Sequence, residues 1–358
     1  MKTSITIACG GTGGHIHPAI AVADKLRAKN HTLSLILSGT RDAECKTAET
    51  WQGPLLCSGA RPMRHLFANA LAILRCVRFL KQQRPAVLFA TGGYTSFPPV
   101  IAARLCRIPV VFHEANSLTG AAIRFCTKLC NIATVATSFP ETAAQLPHVK
   151  TVYTGLPLRQ NVLDTLAKAR AIEKTTDTFS IFVTGGSQGA HGMNLLIAPG
   201  LATLAKNNPH VRILHQCGKH DIEYLQGIYD GLSNQISVVP FVDDMGTAYG
   251  QADLIVARAG AATCFEIARC AVPTIFIPLP TAADDHQRKN AEALVKCGGA
   301  ICVDQHTTTP EQFTETLQTL TADVVKRQQM QAAFAAIPQT DAAQAVADIL
   351  LNIASLHA

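Results

Sequence analysis

The stretch SITIACGGTGGHIHPA, residues 4–19, begins with a short β-rich run, breaks at a glycine-rich loop and continues towards a helix. The run Ser4–Cys9 predicts a strand, and the apolar spacing after the loop predicts a helix from Pro18 to Lys29. A strand, a glycine loop and a helix in this order are typical of the unit that opens a doubly wound α/β domain. The opening of the chain therefore predicts an α/β fold.

The opening pattern recurs in the second half, where a strand at Phe179–Val183 precedes the glycine loop GGSQGA (185–190) and a helix at Met193–Leu204. We therefore expect two Rossmann-like domains of doubly wound parallel sheet, over residues 1–158 and 159–340, followed by a helix over 341–358 that Asp341 caps. Other short continuous apolar runs, typical of strands buried on both faces, lie at Leu33–Leu37, Ala86–Ala90, Val110–Phe112, Ile132–Ala136, Val211–Leu214, Ile236–Val239, Leu254–Val256, Thr274–Ile277 and Ala300–Val303.

Composition excludes several classes. Of the 358 residues, 48% are hydrophobic and 16% are charged, which excludes disorder for the bulk of the chain. A net charge of +6 suits a phosphorylated substrate or an anionic membrane surface, but it is too small to indicate nucleic-acid binding. The sequence predicts neither a signal peptide nor a membrane-spanning helix. The 12 cysteines form no C-x-x-C pair, so we expect buried, reduced thiols of a cytosolic protein.

Five polar motifs follow predicted strands, at the sheet edge where parallel α/β sheets bind ligands. They are GGTGGH (10–15), GGYTSFPP (92–99), HEANS (113–117), RAGAATCFE (258–266) and DDHQRKNA (284–291). Glycine amides at a helix N-terminus suit a phosphate, although a plain glycine-rich turn has the same pattern. His15 or Glu114 could deprotonate a hydroxyl group. Glu266 could hold ribose hydroxyls or simply complement the helix dipole.

Other site classes are not indicated. The first loop lacks the Gly-Lys-Ser/Thr of a Walker loop and the third glycine of the dinucleotide fingerprint. The chain contains no D-x-D pair. We therefore expect no metal-bridged diphosphate site and no cofactor.

Taken together, the motifs resemble the signature set of the MurG family of glycosyltransferases. The set consists of GGTGGHIHPA, GGYTSFPP, HEANS, TGLPLR, GGSQGA, FVDDM, RAGAATCFE and DDHQRKNA, which occur in the family's order over about positions 10 to 294. Four positions depart from it. Ala115 stands where the family usually has Gln, Leu156 where Asn is common, Ala259 where Ser is common, and Phe265 where a small residue is common.

The resemblance implies the GT-B architecture, two Rossmann-like domains that face each other across a cleft, with the last helix returning to the first domain. It assigns the UDP-sugar to the C-terminal domain and the lipid-linked acceptor to the N-terminal domain. His15 and Glu114 are the candidate bases, between which the sequence does not choose, and Tyr94 and Thr95 fall on the acceptor side. The residues it assigns to UDP-N-acetylglucosamine are Thr12, Gly13, Gly14, Asn116, Arg159, Ser187, Val242, Ala261, Ala262, Thr263, Glu266 and Gln287.

The implied reaction moves N-acetylglucosamine from UDP to the 4-hydroxyl of the muramyl sugar of lipid I, with inversion, and forms lipid II for peptidoglycan. The alternatives are a glycosyltransferase acting on diacylglycerol or a macrolide, a non-hydrolysing nucleotide-sugar epimerase, and a catalytically silent binding module. The lipid acceptor implies peripheral binding to an anionic surface at the cytoplasmic face of the cell membrane. No nucleic-acid partner is expected.

Residues 61–84 are the candidate membrane contact, because they combine an apolar helical stripe with basic residues. The stripe consists of Leu66, Ala70, Ile73, Val77 and Leu80, widened by Phe67, Leu71 and Leu74, and the basic residues are Arg61, Arg64, Arg75, Arg78, Lys81 and Arg84. The alternative is an ordinary helix whose stripe faces the core. The membrane interpretation predicts that some of Leu66, Phe67, Leu71 and Leu74 are exposed.

Overall fold

The computed structural model describes residues 2–39, 42–170, 177–186 and 189–356. The chain divides into two compact units. Unit 1 contains Met1–Arg159 and Thr340–Ala358, and unit 2 contains Gln160–Gln339. Each unit is an α/β domain built on one parallel sheet.

The sheet of unit 1 has seven strands among the described residues, in the order β3-β2-β1-β4-β5-β6-β7, and its neighbouring strands are parallel. The strands are β1 (Ser4–Ala8), β2 (Thr32–Leu37), β3 (Leu55–Cys57), β4 (Val87–Ala90), β5 (Val110–Glu114), β6 (Ile132–Thr137) and β7 (Thr151–Tyr153). The helices are α1 (Gly13–Ala28), α2 (Asp42–Thr50), α3 (Leu66–Gln83), α4 (Phe97–Leu105), α5 (Ala121–Leu129) and, from the end of the chain, α14 (Ala342–Leu356).

Helices cover both faces of this sheet because alternate strand residues point to opposite sides. On one face, Ile7 and Phe89 pack with α1 and α14. On the other, Ile36 and Leu88 pack with α3, α4 and α5. Asp341 caps α14, as expected, since its carboxylate accepts the Gln344 amide at 3.0 Å.

The sheet of unit 2 has six strands among the described residues, in the order β10-β9-β8-β11-β12-β13, again all parallel. The strands are β8 (Phe179–Thr184), β9 (Val211–Gln216), β10 (Ile236–Val239), β11 (Leu254–Ala257), β12 (Thr274–Phe276) and β13 (Ala300–Cys302). The helices are α6 (Gln160–Arg170), α7 (His191–Asn207), α8 (Ile222–Ile228), α9 (Met245–Gln251), α10 (Ala261–Cys270), α11 (His286–Lys296), α12 (Pro310–Ala322) and α13 (Val324–Ala335). Alternate residues of β8 again enter two separate cores.

Every apolar run predicted as a strand contains one, but two local features differ from the predictions. The three-residue strands β3 and β7 were not predicted, because runs this short carry no periodic signal. Helix α1 begins at Gly13 and not at Pro18. Its first turn is stabilised by tertiary burial of Ile16 and Pro18, which outweighs the low helix propensity of glycine and proline.

Helix α3 divides the predicted apolar stripe between the core and the surface. Its core-facing residues are Asn69, Ala72, Cys76, Phe79 and Leu80. Of the predicted stripe, only Leu80 is fully buried, while Leu66 and Ala70 are exposed. The residues that were expected to widen the stripe, Phe67, Leu71 and Leu74, are exposed as the membrane interpretation predicts.

All twelve cysteines lie in the described part of the chain as free thiols, and seven are buried. Within the same residues, no helix has both the length and the apolar character that crossing a bilayer requires.

Candidate active site

In unit 1, the predicted motifs meet where the strand order changes direction, between β1 and β4. Parallel α/β sheets bind ligands in the crevice at such a point. The first glycine loop follows β1, and the loop that begins at Thr91 follows β4. Gly10 and Gly11 (φ +152° and +85°) adopt conformations that favour glycine, and a Cβ on Gly10 would lie 3.2 Å from Cγ2 of Thr95.

His15 joins the two loops. It lies in the first turn of α1, and its Nδ1 donates a hydrogen bond to the carbonyl of Thr91 at 2.7 Å. Because a carbonyl can only accept, Nδ1 carries the proton and neutral His15 has Nε2 as its basic nitrogen. The ring lies against the second loop, where a Cβ on Gly93 would lie 3.2 Å from Nε2.

Glu114 is engaged differently. It ends β5, is only 3% exposed and holds the loop that follows. One carboxylate oxygen accepts the Asn116 amide at 2.9 Å and the other accepts the Gly120 amide at 2.7 Å. Burial raises the pKa of Glu114, while these backbone bonds oppose the rise. The side chain therefore holds residues 115–120 in place.

The neighbouring candidates lie at the same sheet edge. The Asn116 side-chain amide is 3.4 Å from Glu114, and Asn116 is partly exposed. Tyr94 is partly exposed, whereas Thr95 is buried and its hydroxyl has no hydrogen-bond partner among the described residues. Thr12 and Gly14 are exposed at the start of α1, with Gly13 between them.

Arg159 is placed beside α1. Desolvation, followed by the positive charge of Arg159, lowers the pKa of His17 to about 4. His17 also contacts the glycine loop, since a Cβ on Gly13 would lie 3.0 Å from its Nε2. His17 was not singled out from the sequence, although it stands two residues after His15. Its relation to Arg159 joins residues 142 positions apart, and no local pattern reports such a contact.

In unit 2, the corresponding change of direction lies between β8 and β11. Ser187 lies outside the described residues. The described start of the glycine loop is held by Gln216, which accepts from the Thr184 hydroxyl at 2.5 Å and donates to the Gly186 carbonyl at 2.9 Å. Gln216 was not predicted as a site residue, because its signal is only its position at the end of β9.

The loop after β11 enters α10, whose first residues are the candidates Ala261, Ala262 and Thr263. All three are partly exposed, and the first turn contains no acidic residue. Glu266 is the sixth residue of the helix, beyond the turn in which the helix dipole acts most strongly. The buried hydroxyl of Tyr249 is hydrogen-bonded to Glu266, and burial together with this charge raises the Tyr249 pKa. Glu266 is thus oriented by Tyr249.

Two buried residues that sequence reasoning left unassigned support this loop. Arg258 donates to the carbonyls of Ile277 and Pro278, each at 2.9 Å, and burial lowers its pKa to about 10. The side-chain amide of Asn290 donates a hydrogen bond to the Ala259 carbonyl at 3.1 Å. Both residues belong to motifs quoted above. The motifs therefore marked their positions, but did not predict that they support this loop.

The last two candidates lie on separate loops. Val242 follows β10. It is partly buried and packs against the core cluster to which α6 and α9 contribute. The side-chain oxygen of Gln287 accepts the Leu279 amide at 3.0 Å, which makes its NH₂ group the donor available to a ligand. Asp284 and Asp285, just before Gln287, both have φ +53°, a strained conformation for residues other than glycine.

Comparisons with known proteins identify the family of the chain. The model of the glycosyltransferase family 28 N-terminal domain matches residues 5–135, and that of the C-terminal domain matches residues 180–346. A Geobacter sulfurreducens protein, named UDP-N-acetylglucosamine--N-acetylmuramyl-(pentapeptide) pyrophosphoryl-undecaprenol N-acetylglucosamine transferase, is 35% identical over 96% of this chain and 97% of its own.

Solved structures give the same result. The crystal structure of MurG from Acinetobacter baumannii superposes with a TM-score of 0.83 at 31% identity, covering 98% of this chain and 99% of that one. A UDP-GlcNAc 2-epimerase from Neisseria meningitidis, bound to UDP-GlcNAc, has a TM-score of 0.70 at 15% identity over 98% of this chain and 100% of its own, and so shares the fold alone. The two parallel-sheet domains confirm the expected GT-B class. The chain therefore belongs to glycosyltransferase family 28 and, within it, to the MurG family of N-acetylglucosamine transferases.

Proposed function

We propose that this protein transfers N-acetylglucosamine from UDP-N-acetylglucosamine to the 4-hydroxyl of the muramyl sugar of N-acetylmuramyl-(pentapeptide) pyrophosphoryl-undecaprenol, converting lipid I to lipid II for peptidoglycan. The observation that carries the proposal is similarity over almost the full chain to a transferase with this name. An epimerase or a silent binding module of the same fold has no comparable support, since the epimerase is only 15% identical.

His15 is the proposed general base. The donor sugar is α-linked and the product is β-linked, so a single displacement with inversion needs one base and no covalent intermediate. Nε2 of His15 takes the proton of the acceptor hydroxyl as its oxygen attacks C1 of the sugar, and UDP leaves with the bonding electrons. The Thr91 carbonyl supports this role because it fixes the tautomer in which Nε2 accepts.

Glu114 is the weaker candidate. Both of its oxygens already accept backbone amides in a buried position, and protonation would weaken those bonds. Its proposed role is to hold Asn116, which would then bond the donor sugar. The loop would retain its shape only while Glu114 remains an acceptor at both oxygens.

The donor is assigned mainly to residues of unit 2. The amides of Ala261–Thr263 and the N-terminus of α10 suit the diphosphate, because no acidic residue in the first turn offsets their positive potential. Ser187 and Arg159 would add donors to the same group. Glu266 would hold the ribose hydroxyls, the Val242 backbone would meet the uracil edge, and Gln287 would contact the sugar.

A membrane surface is the proposed location of the acceptor lipid. Apolar side chains are exposed on three adjoining helices of unit 1, α3, α4 and α5, among them Phe67 at 94%, Leu66 at 76%, Leu74 at 67% and Leu105 at 64%. Exposure of so many large apolar groups on neighbouring helices is typical of an interaction surface. We define this set, with Leu71, Phe125 and Leu129, as the apolar face.

Charge supports the same assignment. Between residues 61 and 135 the chain has ten Lys and Arg residues and one acidic residue, Glu114, which is buried. Each basic residue near an anionic leaflet contributes about 1 kcal/mol. The apolar face and its basic surroundings therefore fit peripheral binding at the cytoplasmic face of the cell membrane, where the nucleotide donor is available.

Transfer of radiolabelled sugar tests the function. The purified protein is incubated with UDP-[¹⁴C]GlcNAc and a lipid I analogue, and the product is separated by chromatography. The expected result is a labelled disaccharide lipid that forms only when the acceptor is present. Conversion of UDP-GlcNAc without acceptor would identify an epimerase, and binding without conversion would identify a silent module. Transfer to diacylglycerol but not to the analogue would also overturn the proposal.

A further inference from the structure

Glu44 is a fully buried carboxylate to which neither the motifs nor the proposed mechanism assigns a role. It lies in the first turn of α2, the helix that comes after β2 in the chain. Because β2 is the neighbour of β1, the carboxyl end of β2 adjoins the first glycine loop. Glu44 therefore lies beneath the loop that contains the proposed donor contacts.

Both oxygens of Glu44 hold backbone amides. Oε1 accepts from the Gly11 amide and Oε2 from the Gly39 amide, each at 2.5 Å. The Ser38 hydroxyl lies 2.7 Å from both oxygens. A Cβ on Gly10 would lie 2.5 Å from Oε1, so glycine at this position allows the carboxylate to approach the loop.

The first consequence is that the Gly11 amide binds Glu44 and is not available to a substrate phosphate. The second concerns geometry. Gly11 precedes Thr12, the N-cap residue just before α1, and the Thr12 carbonyl accepts the backbone amide of His15 at 3.1 Å. A short connected path thus runs from Glu44 through the loop to the proposed base.

We propose that Glu44 is a positioning residue, which fixes the first glycine loop and through it the placement of Thr12–Gly14 and His15. This inference rests on the proposed function, because it gives the loop and His15 their roles. A carboxylate is needed since two amides are held by two different oxygens. Glutamine has one side-chain oxygen, so its NH₂ group would face the amide of Gly11 or Gly39.

The experiment compares Glu44→Gln with Ser38→Ala, the matched control, which removes a buried partner of Glu44 but keeps both backbone bonds. Sugar transfer, thermal unfolding and UDP binding are measured for each. Glu44→Gln should lower kcat about 100-fold, as expected for a misplaced catalytic group, whereas the affinity for UDP, which is assigned mainly to residues of unit 2, should change less than threefold. Ser38→Ala should stay within threefold of the wild-type kcat although its unfolding midpoint falls similarly.

Two further measurements separate positioning from a merely structural role. When His15→Ala is already present, adding Glu44→Gln should lower kcat by a further factor of less than three, because both changes act through the His15 imidazole. Glu44→Asp keeps the charge and both oxygens, so its kcat should be at least tenfold higher than that of Glu44→Gln. Equal kcat for Glu44→Gln and Ser38→Ala, or fully multiplicative losses in the double variant, would overturn the inference.

The failure of the proposed function is recognised separately. If the wild type transfers no sugar, the function is wrong, and ¹H–¹⁵N spectra of the His15 imidazole still test the positioning. Glu44→Gln should shift its Nδ1–H signal, which reports the bond to Thr91, while Ser38→Ala should not. An unchanged signal in Glu44→Gln would refute the role of Glu44 without reference to activity.

Discussion

Paired substitution of His15 and Glu114 tests the assignment of the base. His15→Ala removes the hydrogen bond to the Thr91 carbonyl from a partly exposed ring. A neutral bond of this kind contributes about 1 kcal/mol to stability, so the variant should remain folded. As the general base, however, His15 should account for roughly 10²–10⁴ in kcat.

Glu114→Gln should give the opposite result. Its single side-chain oxygen cannot accept both the Asn116 and the Gly120 amide, so one partly buried amide loses its partner. Such a group costs about 1–3 kcal/mol, which lowers the unfolding midpoint of a domain of this size by roughly 2–12 °C. Because the base would be intact, kcat should fall less than about tenfold.

The assay follows radiolabelled transfer to the lipid I analogue at saturating donor, with calorimetric unfolding of the same preparations. UDP binding, which is assigned mainly to unit 2, serves as the control and should be unchanged in both variants. The reasoning is refuted if Glu114→Gln melts like the wild type but loses more than 10²-fold in kcat, while His15→Ala keeps a near wild-type rate.

Three other perturbations have definite expected outcomes. Glu266→Ala should raise the KM for the UDP-sugar about tenfold or more, because it removes a charged hydrogen bond that contributes roughly 1.5–3 kcal/mol to binding. An unchanged KM would favour a helix-dipole role for Glu266. Phe67→Ser with Leu74→Ser should reduce flotation with anionic liposomes, whereas Val325→Ser, which alters an exposed apolar residue of unit 2, should not. Burial lowers the pKa of His113 to about 4 in the folded protein. As pH falls below 6.5, His113 is therefore protonated in the unfolded chain before it is protonated in the folded one. Between pH 7 and pH 5 the free energy of unfolding should fall by about 2 kcal/mol for this reason. The unfolding midpoint of His113→Gln should therefore depend less on pH than that of the wild type.

Local patterns in the sequence predict the strands and place the motifs at the right edge of each sheet. They do so because a buried parallel strand is a continuous apolar run, and because ligand loops follow its carboxyl end. The same reasoning does not orient α3. Its apolar residues surround most of the helix, so the choice of Cys76 and Phe79 for the core, with Phe67 left exposed, depends on packing against α4 and β-strands distant in sequence.

The roles of individual carboxylates could not be predicted for a related reason. Glu114 was a plausible base from its position in HEANS, and only the fold shows that the Gly120 amide binds it. Glu44 stands in no motif, and its partner Gly11 is 33 residues away. Whether a carboxylate is a reactive group or a support depends on which amides surround it, and those amides come from other segments of the chain.

The two sheet edges differ in charge, and this difference bears on which part of the substrate each one binds. In unit 1, the buried carboxylates of Glu44 and Glu114 occupy loop amides and place negative charge beneath the candidate site. In unit 2, the first turn of α10 has no acidic residue, and the buried guanidinium of Arg258 supports the loop before it. Because like charges repel strongly in a poorly solvated site, the diphosphate of UDP is favoured at the edge of unit 2, and the reacting sugar hydroxyl of the acceptor, rather than its pyrophosphate, at that of unit 1. The positions of these buried charges thus support the proposed division of the substrates between the units.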